Sequence, residues 1–384
     1  MNCSGRDVCS AATVHVAFHD AIDTVTYSNE PSDVYLAPGW IDIQVNGFAA
    51  VDYNNPATPH EEIGRSVGVL LSTGVTRFYP TVITGAPDSM AGALRNLAAA
   101  RESLALGEIM DGFHVEGPHI SPEDGPRGAH PRQWVRKPDL EEYARWQEAT
   151  NGRIRIVTLA PEWPEAVRYI EQITRDGVVA AIGHTRATAA QIADAVSAGA
   201  TLSTHLGNGA DSVMRRHPNY IWDQLAEDRL IADFIVDGIH LDTAFLKVAL
   251  RAKTLERAVL VTDAAPPASA APGRYYIGEQ AVDLSADQRV TLAGQDRLAG
   301  SALRMDRGIE NLVRLAGLSL SDAVRLATVN AAKAGKVPGR SGGLTPGDRA
   351  DLVQFRWDGA RIEVTGVWIS GQRVYSFSAK IGVS

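Results

Sequence analysis

Between about residues 40 and 265 the chain alternates two hydrophobic patterns. Short apolar, β-rich runs end in polar or glycine positions, and longer stretches between them place apolar residues at helical spacing. The short runs fall at 41–45, 77–82, 112–116, 154–160, 179–184, 201–205, 232–237 and 259–263. Stretches at 62–72, 89–105, 140–149, 165–175, 190–198 and 243–252 carry the Ala, Glu, Leu and Arg content of helices. Strands alternating with helices must run parallel through right-handed crossovers, and eight repeats close such a sheet into a (β/α)8 TIM-like barrel, an α/β fold. An open doubly wound sheet is the rival arrangement. Beyond the eighth run come a Gly/Pro-containing excursion at 265–295, two helical patterns at 301–316 and 319–334, and a turn-rich stretch at 339–351. β-patterned runs follow at 352–355, 361–369 and 373–375, and others lie near the N-terminus at 13–16 and 35–36. The expectation is a small β-sandwich built from 1–37 and 339–384 beside a barrel spanning 38–338.

With 384 residues, 45% hydrophobic and 21% charged, the chain can bury a substantial core. Its formal charge of −8 provides no global positive field, which argues against nucleic acid or anionic membrane as a partner; an anionic substrate must be met by local cations. The two cysteines, Cys3 and Cys9, exclude a disulfide framework and a cysteine-rich zinc module. No run of 18 apolar residues occurs, and Arg6 and Asp7 interrupt the N-terminal segment, so the expected location is the cytoplasm.

Active sites of such barrels lie at the C-terminal ends of the strands. There the first run ends in Gln44 and Asn46, the third in Glu116, the fifth in His184, the sixth in His205 and the eighth in Asp263, with His240 just beyond the seventh. One histidine beside a strand is ordinarily a hydrogen-bonded core residue, but imidazoles and carboxylates at successive strand ends have the composition of a hydrolytic site for zinc or a related divalent ion. Asp263 has two compatible readings, a helix N-cap and a general base. His114 and His119 are read as structural or as supports behind the ligands.

Several segments resemble the metal-dependent amidohydrolases, and within them the N-acetylglucosamine-6-phosphate deacetylase family. They include Pro38-Gly-Trp-Ile-Asp-Ile-Gln-Val-Asn-Gly47, His114-Val-Glu-Gly-Pro118, Gly183-His-Thr185, Thr204-His-Leu206, Asp237-Gly-Ile-His240, Val261-Thr-Asp-Ala264 and Leu298-Ala-Gly-Ser301. The resemblance covers nearly the whole chain. It implies Glu116, His184 and His205 as metal ligands, Asp263 as general acid and base, and His130 as the group that polarises the acetyl carbonyl. It also places Gln44, Ala129, Asn208, Gly209, Arg216, His240, Leu298, Ala299 and Gly300 against sugar and phosphate. Where amidohydrolases often carry a His-x-His pair, this chain has Gln44-Val-Asn46. Amides are poor transition-metal ligands, so one divalent ion per subunit is expected, zinc first, with Fe, Co or Mn also compatible.

In this family the loop carrying the arginine can reach a second subunit, which implies a homodimer. That loop departs from the family pattern: Gly207-Asn-Gly-Ala210 replaces aromatic-Asn-Ala-Met, and His217-Pro-Asn219 follows the arginines. The activity that the resemblance implies is removal of the acetyl group from N-acetylglucosamine 6-phosphate, giving glucosamine 6-phosphate and acetate. The alternatives are an amidohydrolase acting on another N-acyl amino sugar or related amide without 6-phosphate dependence, and a non-catalytic sugar-phosphate-binding barrel.

Overall fold

In the computed structural model, which describes residues 1–10, 12–340 and 343–377, every one of the eight apolar runs contributes a strand to one parallel sheet. The strands are Trp40–Val45, Val75–Ile83, Phe113–Glu116, Ile154–Leu159, Val179–Ile182, Leu202–Ser203, Ile231–Ile235 and Ala258–Val261, each paired with its neighbours in chain order. A parallel bridge between Val45 and Ala264, with the Asn46 N–H donating to the Ala264 carbonyl at 2.7 Å, brings the eighth strand to the first and closes the barrel.

Helices His60–Leu71, Pro87–Ser103, Leu140–Ala149, Ala166–Arg175, Ala189–Ser197, Tyr220–Ala226 and Thr243–Lys253 connect successive strands. Local chemistry sets where they begin. Asp139 accepts from the Glu141 N–H, and Thr188 and Gln191 form a reciprocal capping box. Each helix then buries one stripe against the outside of the sheet, as Trp146 and Tyr169 do. Inside the barrel, Ile41, Ile43, Tyr79, Ile156, Val179, Leu202, Ile235 and Val259 pack together over Ala331, Ala334 and Val337. The short helix Val329–Ala334 thereby closes the barrel beneath the strands, and Tyr79 donates its hydroxyl to the Gly335 carbonyl at 2.8 Å.

The termini pair into one seven-stranded, mostly antiparallel sheet. Its order is Gln372–Ser376, Ile362–Ile369, Leu352–Trp357, Tyr35–Pro38, Asn2–Asp7, Thr13–Phe18 and Ile22–Ser28. Val14, Val16, Phe18, Leu36, Leu352 and Trp368 make its own apolar cluster. Of the stretch 339–384 assigned to this part of the chain, residues 341–342 and 378–384 lie outside the described residues. A buried ion network joins this sheet to the barrel. Asp351 receives Arg77 Nε at 2.8 Å and Arg349 Nε at 2.9 Å, and Arg340 Nη1 lies 3.8 Å away.

Four local expectations change. The excursion at 265–295 folds into a three-stranded antiparallel sheet, Gly273–Ile277, Gln280–Leu284 and Val290–Leu292, because Ile277, Val282, Leu284 and Val290 bury a common face. The pattern at 301–316 is helical only from Met305: the Ser301 N–H donates to the Asp263 carbonyl at 3.0 Å and its hydroxyl to Thr262, which keeps 301–304 extended along the eighth strand. The pattern at 319–334 breaks into Leu320–Leu326 and Val329–Ala334, where the Ala327 carbonyl turns to accept from the Ile41 N–H. The sixth strand is shorter than 201–205, since His205 adopts a left-handed conformation and leaves the ladder. No helix among the described residues is long and apolar enough to cross a membrane.

Candidate metal centre and cavity

Three of the side chains at the strand ends sit on backbone that L-residues rarely adopt: φ is +49° at His184, +30° at His205 and +49° at Asp263. Left-handed conformations at non-glycine positions carry strain of order 1–3 kcal/mol each, and such residues concentrate at functional sites. Here the turn swings each side chain off its strand and over the mouth of the barrel. Loop packing is correspondingly tight. Gly209 has φ +55°, and a Cβ there would lie 2.6 Å from the His184 ring, which accounts for glycine at a position where the family pattern has alanine.

The chemistry converges on Glu116. His205 Nε2 lies 2.7 Å and His184 Nε2 3.2 Å from its Oε1, while His130 Nε2 lies 3.9 Å from its Oε2. Ligating atoms of Glu116, His130 and His184 all fall within 4.8 Å of one another, and the His184 and His205 rings are 4.9 Å apart. Tautomers test whether a cation fits. His184 Nδ1 is 2.8 Å from the Pro126 carbonyl, which can only accept, so Nδ1 carries the proton. With Nδ1 so engaged, Nε2 is the ring nitrogen turned to the Glu116 carboxylate. Imidazole nitrogens of His184 and His205 converging with one carboxylate oxygen form a donor set suited to a divalent ion. The residues present therefore fit a metal.

Electrostatics follow from burial. Burial opposes ionisation of Glu116, but its bonds to His184 and His205 outweigh this and hold it well below the usual carboxylate range. His205 is driven the other way: burial disfavours its charge, and the Glu116 carboxylate overcomes that and raises its pKa to about 9. Burial, reinforced by the charge of Glu116, raises Asp263 to about 6. Two amides hold this aspartate by the same oxygen, with Gln44 Nε2 3.1 Å and Asn46 Nδ2 2.7 Å from Oδ1.

Above the centre opens a cavity of about 510 Å³, within the range of small-molecule sites. Its lining includes Glu116, His130, His184, His205 and Asp263, together with Ala129, Asn208, Gly209, His240, Leu298, Ala299 and Gly300. His130 Nδ1 is 2.8 Å from the Thr84 hydroxyl, leaving Nε2 toward the cavity; His240 is fixed by Asp237 Oδ2 at 2.6 Å.

Two expected substrate contacts are placed elsewhere. Gln44 is fully buried beneath the cavity and holds Asp263. Arg216 lies outside the cavity lining, on the exposed loop where its carbonyl accepts from Asn219 Nδ2 at 3.1 Å. His114 is satisfied by Thr158 at 2.7 Å and the Ile43 carbonyl at 3.1 Å, and His119 packs on Trp146 and Tyr169; neither lines the cavity. Sequence reasoning missed Ile277, Gln280 and Arg297, brought to the rim by the small antiparallel sheet. The run Ala281-Val-Asp-Leu284 after the turn at Gly278 was the available signal.

A model of the amidohydrolase family matches residues 35–374. The chain is 35% identical over 333 residues to N-acetylglucosamine-6-phosphate deacetylase of Bacillus subtilis (strain 168), covering 85% of this chain and 83% of that protein. It is 30% identical over 353 residues to N-acetylgalactosamine-6-phosphate deacetylase of Escherichia coli O157:H7, covering 92% and 91%. Its structure is similar, with a TM-score of 0.88 at 30% identity and coverage of 98% and 99%, to an aspartate-to-alanine mutant of N-acetyl-D-glucosamine-6-phosphate deacetylase from Mycobacterium smegmatis in complex with N-acetyl-D-glucosamine-6-phosphate.

Proposed function

The chain belongs to the amidohydrolase family, and from that premise we propose that it removes the acetyl group of N-acetylglucosamine 6-phosphate, giving glucosamine 6-phosphate and acetate. The observation that carries this reading is the convergence of Glu116, His184 and His205 on one point beside Asp263 at the floor of a sugar-sized cavity.

Glu116 Oε1, His184 Nε2 and His205 Nε2 would hold one divalent ion, zinc first among the candidates. When bound, such an ion supplies Lewis acidity and lowers the pKa of water toward neutrality. Asp263, held by Gln44 and Asn46 through Oδ1, keeps Oδ2 free to take the proton of the attacking water and return it to the departing sugar amine. His130 donates from Nε2 to the acetyl oxygen as charge develops there, its other nitrogen engaged by Thr84. Its longer distance to the carboxylate, 3.9 Å to the opposite oxygen, favours this role over ligation. Asn208, Gly209, His240 and the backbone at Leu298–Gly300 wall the sugar. Arg216 is consistent with a contact made across a homodimer.

Steady-state hydrolysis of N-acetylglucosamine 6-phosphate, its galacto epimer and both unphosphorylated sugars tests the reading. It expects acetate release from a phosphorylated sugar. Activity confined to unphosphorylated amides would replace it with the phosphate-independent amidohydrolase.

A further inference from the structure

Resting on the proposed phosphosugar reading, we infer that Arg297 binds the phosphate of the substrate from within the same chain and sets the preference for phosphorylated sugars. Among the described residues, Arg297 is the only arginine or lysine lining the cavity. The other ionisable groups in the wall are Glu116, Asp124, Asp263 and the histidines. A dianionic ester entering this space needs a cation, and guanidinium offers several N–H donors in a planar fork suited to phosphate oxygens.

The position of Arg297 is built by the fold. The Leu292 N–H donates to the Arg297 carbonyl at 2.9 Å, and Thr291 bridges to Leu298, so the residue is anchored at the edge of the small antiparallel sheet. Its Nη1 donates to the Gly128 carbonyl at 3.0 Å, steering the side chain across the cavity mouth to the segment that ends in His130. That bond uses one of its N–H groups. Arg297 forms no ion pair within 4.0 Å among the described residues, and the nearby Asp124 is engaged by Arg127 and, at 3.9 Å, by Arg132. The guanidinium is thus exposed and oriented at the mouth of the cavity, with no carboxylate within 4.0 Å among the described residues and the longer-range charge of Asp124 acting on it.

The alternative use of Arg297 is positioning alone, through Gly128 and the His130 segment. The two separate kinetically, because a phosphate contact acts on one sugar while a displaced His130 slows both. The experiment compares wild type, Arg297→Gln, Arg297→Lys and Arg216→Gln. It reads kcat and KM for N-acetylglucosamine 6-phosphate and N-acetylglucosamine, with calorimetric binding of glucosamine 6-phosphate and glucosamine. For Arg297→Gln the ratio of kcat/KM between phosphorylated and plain sugar is expected to fall about ten- to a hundredfold, mainly through KM, with partial recovery in Arg297→Lys. A ratio within about threefold of wild type, or equal losses on both sugars through kcat, overturns the inference. If wild type hydrolyses neither sugar but binds glucosamine 6-phosphate in an Arg297-dependent way, the inference stands and the deacetylase reading falls. If wild type hydrolyses the phosphorylated sugar and only Arg216→Gln lowers the ratio, the reading stands and the inference falls.

Discussion

Replacing Asp351 by Asn should destabilise the protein by about 3–5 kcal/mol, the cost of removing one partner from a buried ion network. Both carboxylate oxygens of Asp351 are occupied. Oδ2 accepts from Arg77 Nε at 2.8 Å, and Oδ1 accepts from Arg349 Nε and from the Ser370 N–H, each at 2.9 Å. Asparagine keeps a single oxygen, so its NH2 must face a donor on one side or the other. The charges left behind cannot turn to water, since side-chain exposure is 0% at Asp351, 3% at Arg77 and 1% at Arg340. Arg77 would keep Asp111 at 2.6 Å and the Pro338 carbonyl at 2.7 Å, whereas Arg340 would keep, among the described residues, the Gly39 carbonyl at 2.8 Å and the more distant charge of Asp348. One lost charge-assisted bond costs about 1.5–3 kcal/mol, and the weakened charge balance around buried Arg340, which loses the nearer of its two carboxylates, adds to it.

Urea unfolding followed by tryptophan fluorescence and circular dichroism, with overlapping refolding curves, measures this. The pH dependence adds a second signature. Burial raises the pKa of Asp351, but Arg77, Arg349 and Arg340 outweigh it and hold the carboxyl below its ordinary value. A depressed carboxylate contributes stability that is complete above its unfolded pKa, near 3.9, and is lost as pH falls through the folded value. The gap between wild type and Asp351→Asn should therefore be full at pH 7 and shrink below about pH 4. Catalytic constants should hold in the folded variant, because Arg77 lies at the start of its strand, away from the catalytic rim. A loss under about 1 kcal/mol at pH 7 would refute the buried-network argument.

Asp263→Asn should lower kcat by about 10²–10⁴ while metal content is kept, because the amide preserves shape and removes the proton acceptor; turnover within tenfold of wild type would reduce Asp263 to a structural turn. Elemental analysis after dialysis should find one divalent ion per chain, and His184→Ala or His205→Ala should lose metal and activity together; two tightly held ions would reject the single-site assignment. Thiol labelling at pH 8 should modify exposed Cys9 well before Cys3, whose thiol is pushed up to about 12 by burial. Peptide mass spectrometry reads the order.

The barrel was legible because a buried parallel strand advertises itself as an apolar run ending in the residues it delivers to the rim, as in Phe113-His-Val-Glu116 and Val179-Ala-Ala-Ile182 before His184. Glu116, His184, His205 and Asp263 were located by the same rule. What periodicity does not encode is which loop covers the rim. Arg297 lies well beyond the eighth strand in sequence and reaches the cavity only because a hairpin folds back to meet Gly128. Arg216, on a conspicuously basic loop, stays outside the cavity of its own chain. Gln44, which the resemblance implies as a substrate contact, is buried with its amide turned to Asp263, an orientation that strand periodicity does not encode.

The amides at Gln44 and Asn46 also bear on how many ions the centre can hold. A His-x-His pair would offer imidazole lone pairs for a second metal. Here both side chains spend their NH2 groups on one oxygen of Asp263, at 3.1 and 2.7 Å, so their orientation is dictated by the carboxylate. That arrangement suits the base role proposed for the aspartate. Two donors on Oδ1 draw charge to that oxygen and fix the rotamer, which leaves Oδ2 as the open acceptor at a defined position above the cluster of Glu116, His184 and His205. A second ion in the same place would compete with the amide hydrogens for Oδ1 and abolish the restraint. On the proposed reading, a single metal and an immobilised base both follow from amides at these two positions, and replacing Asn46 by His should loosen Asp263 even where it gains a ligand.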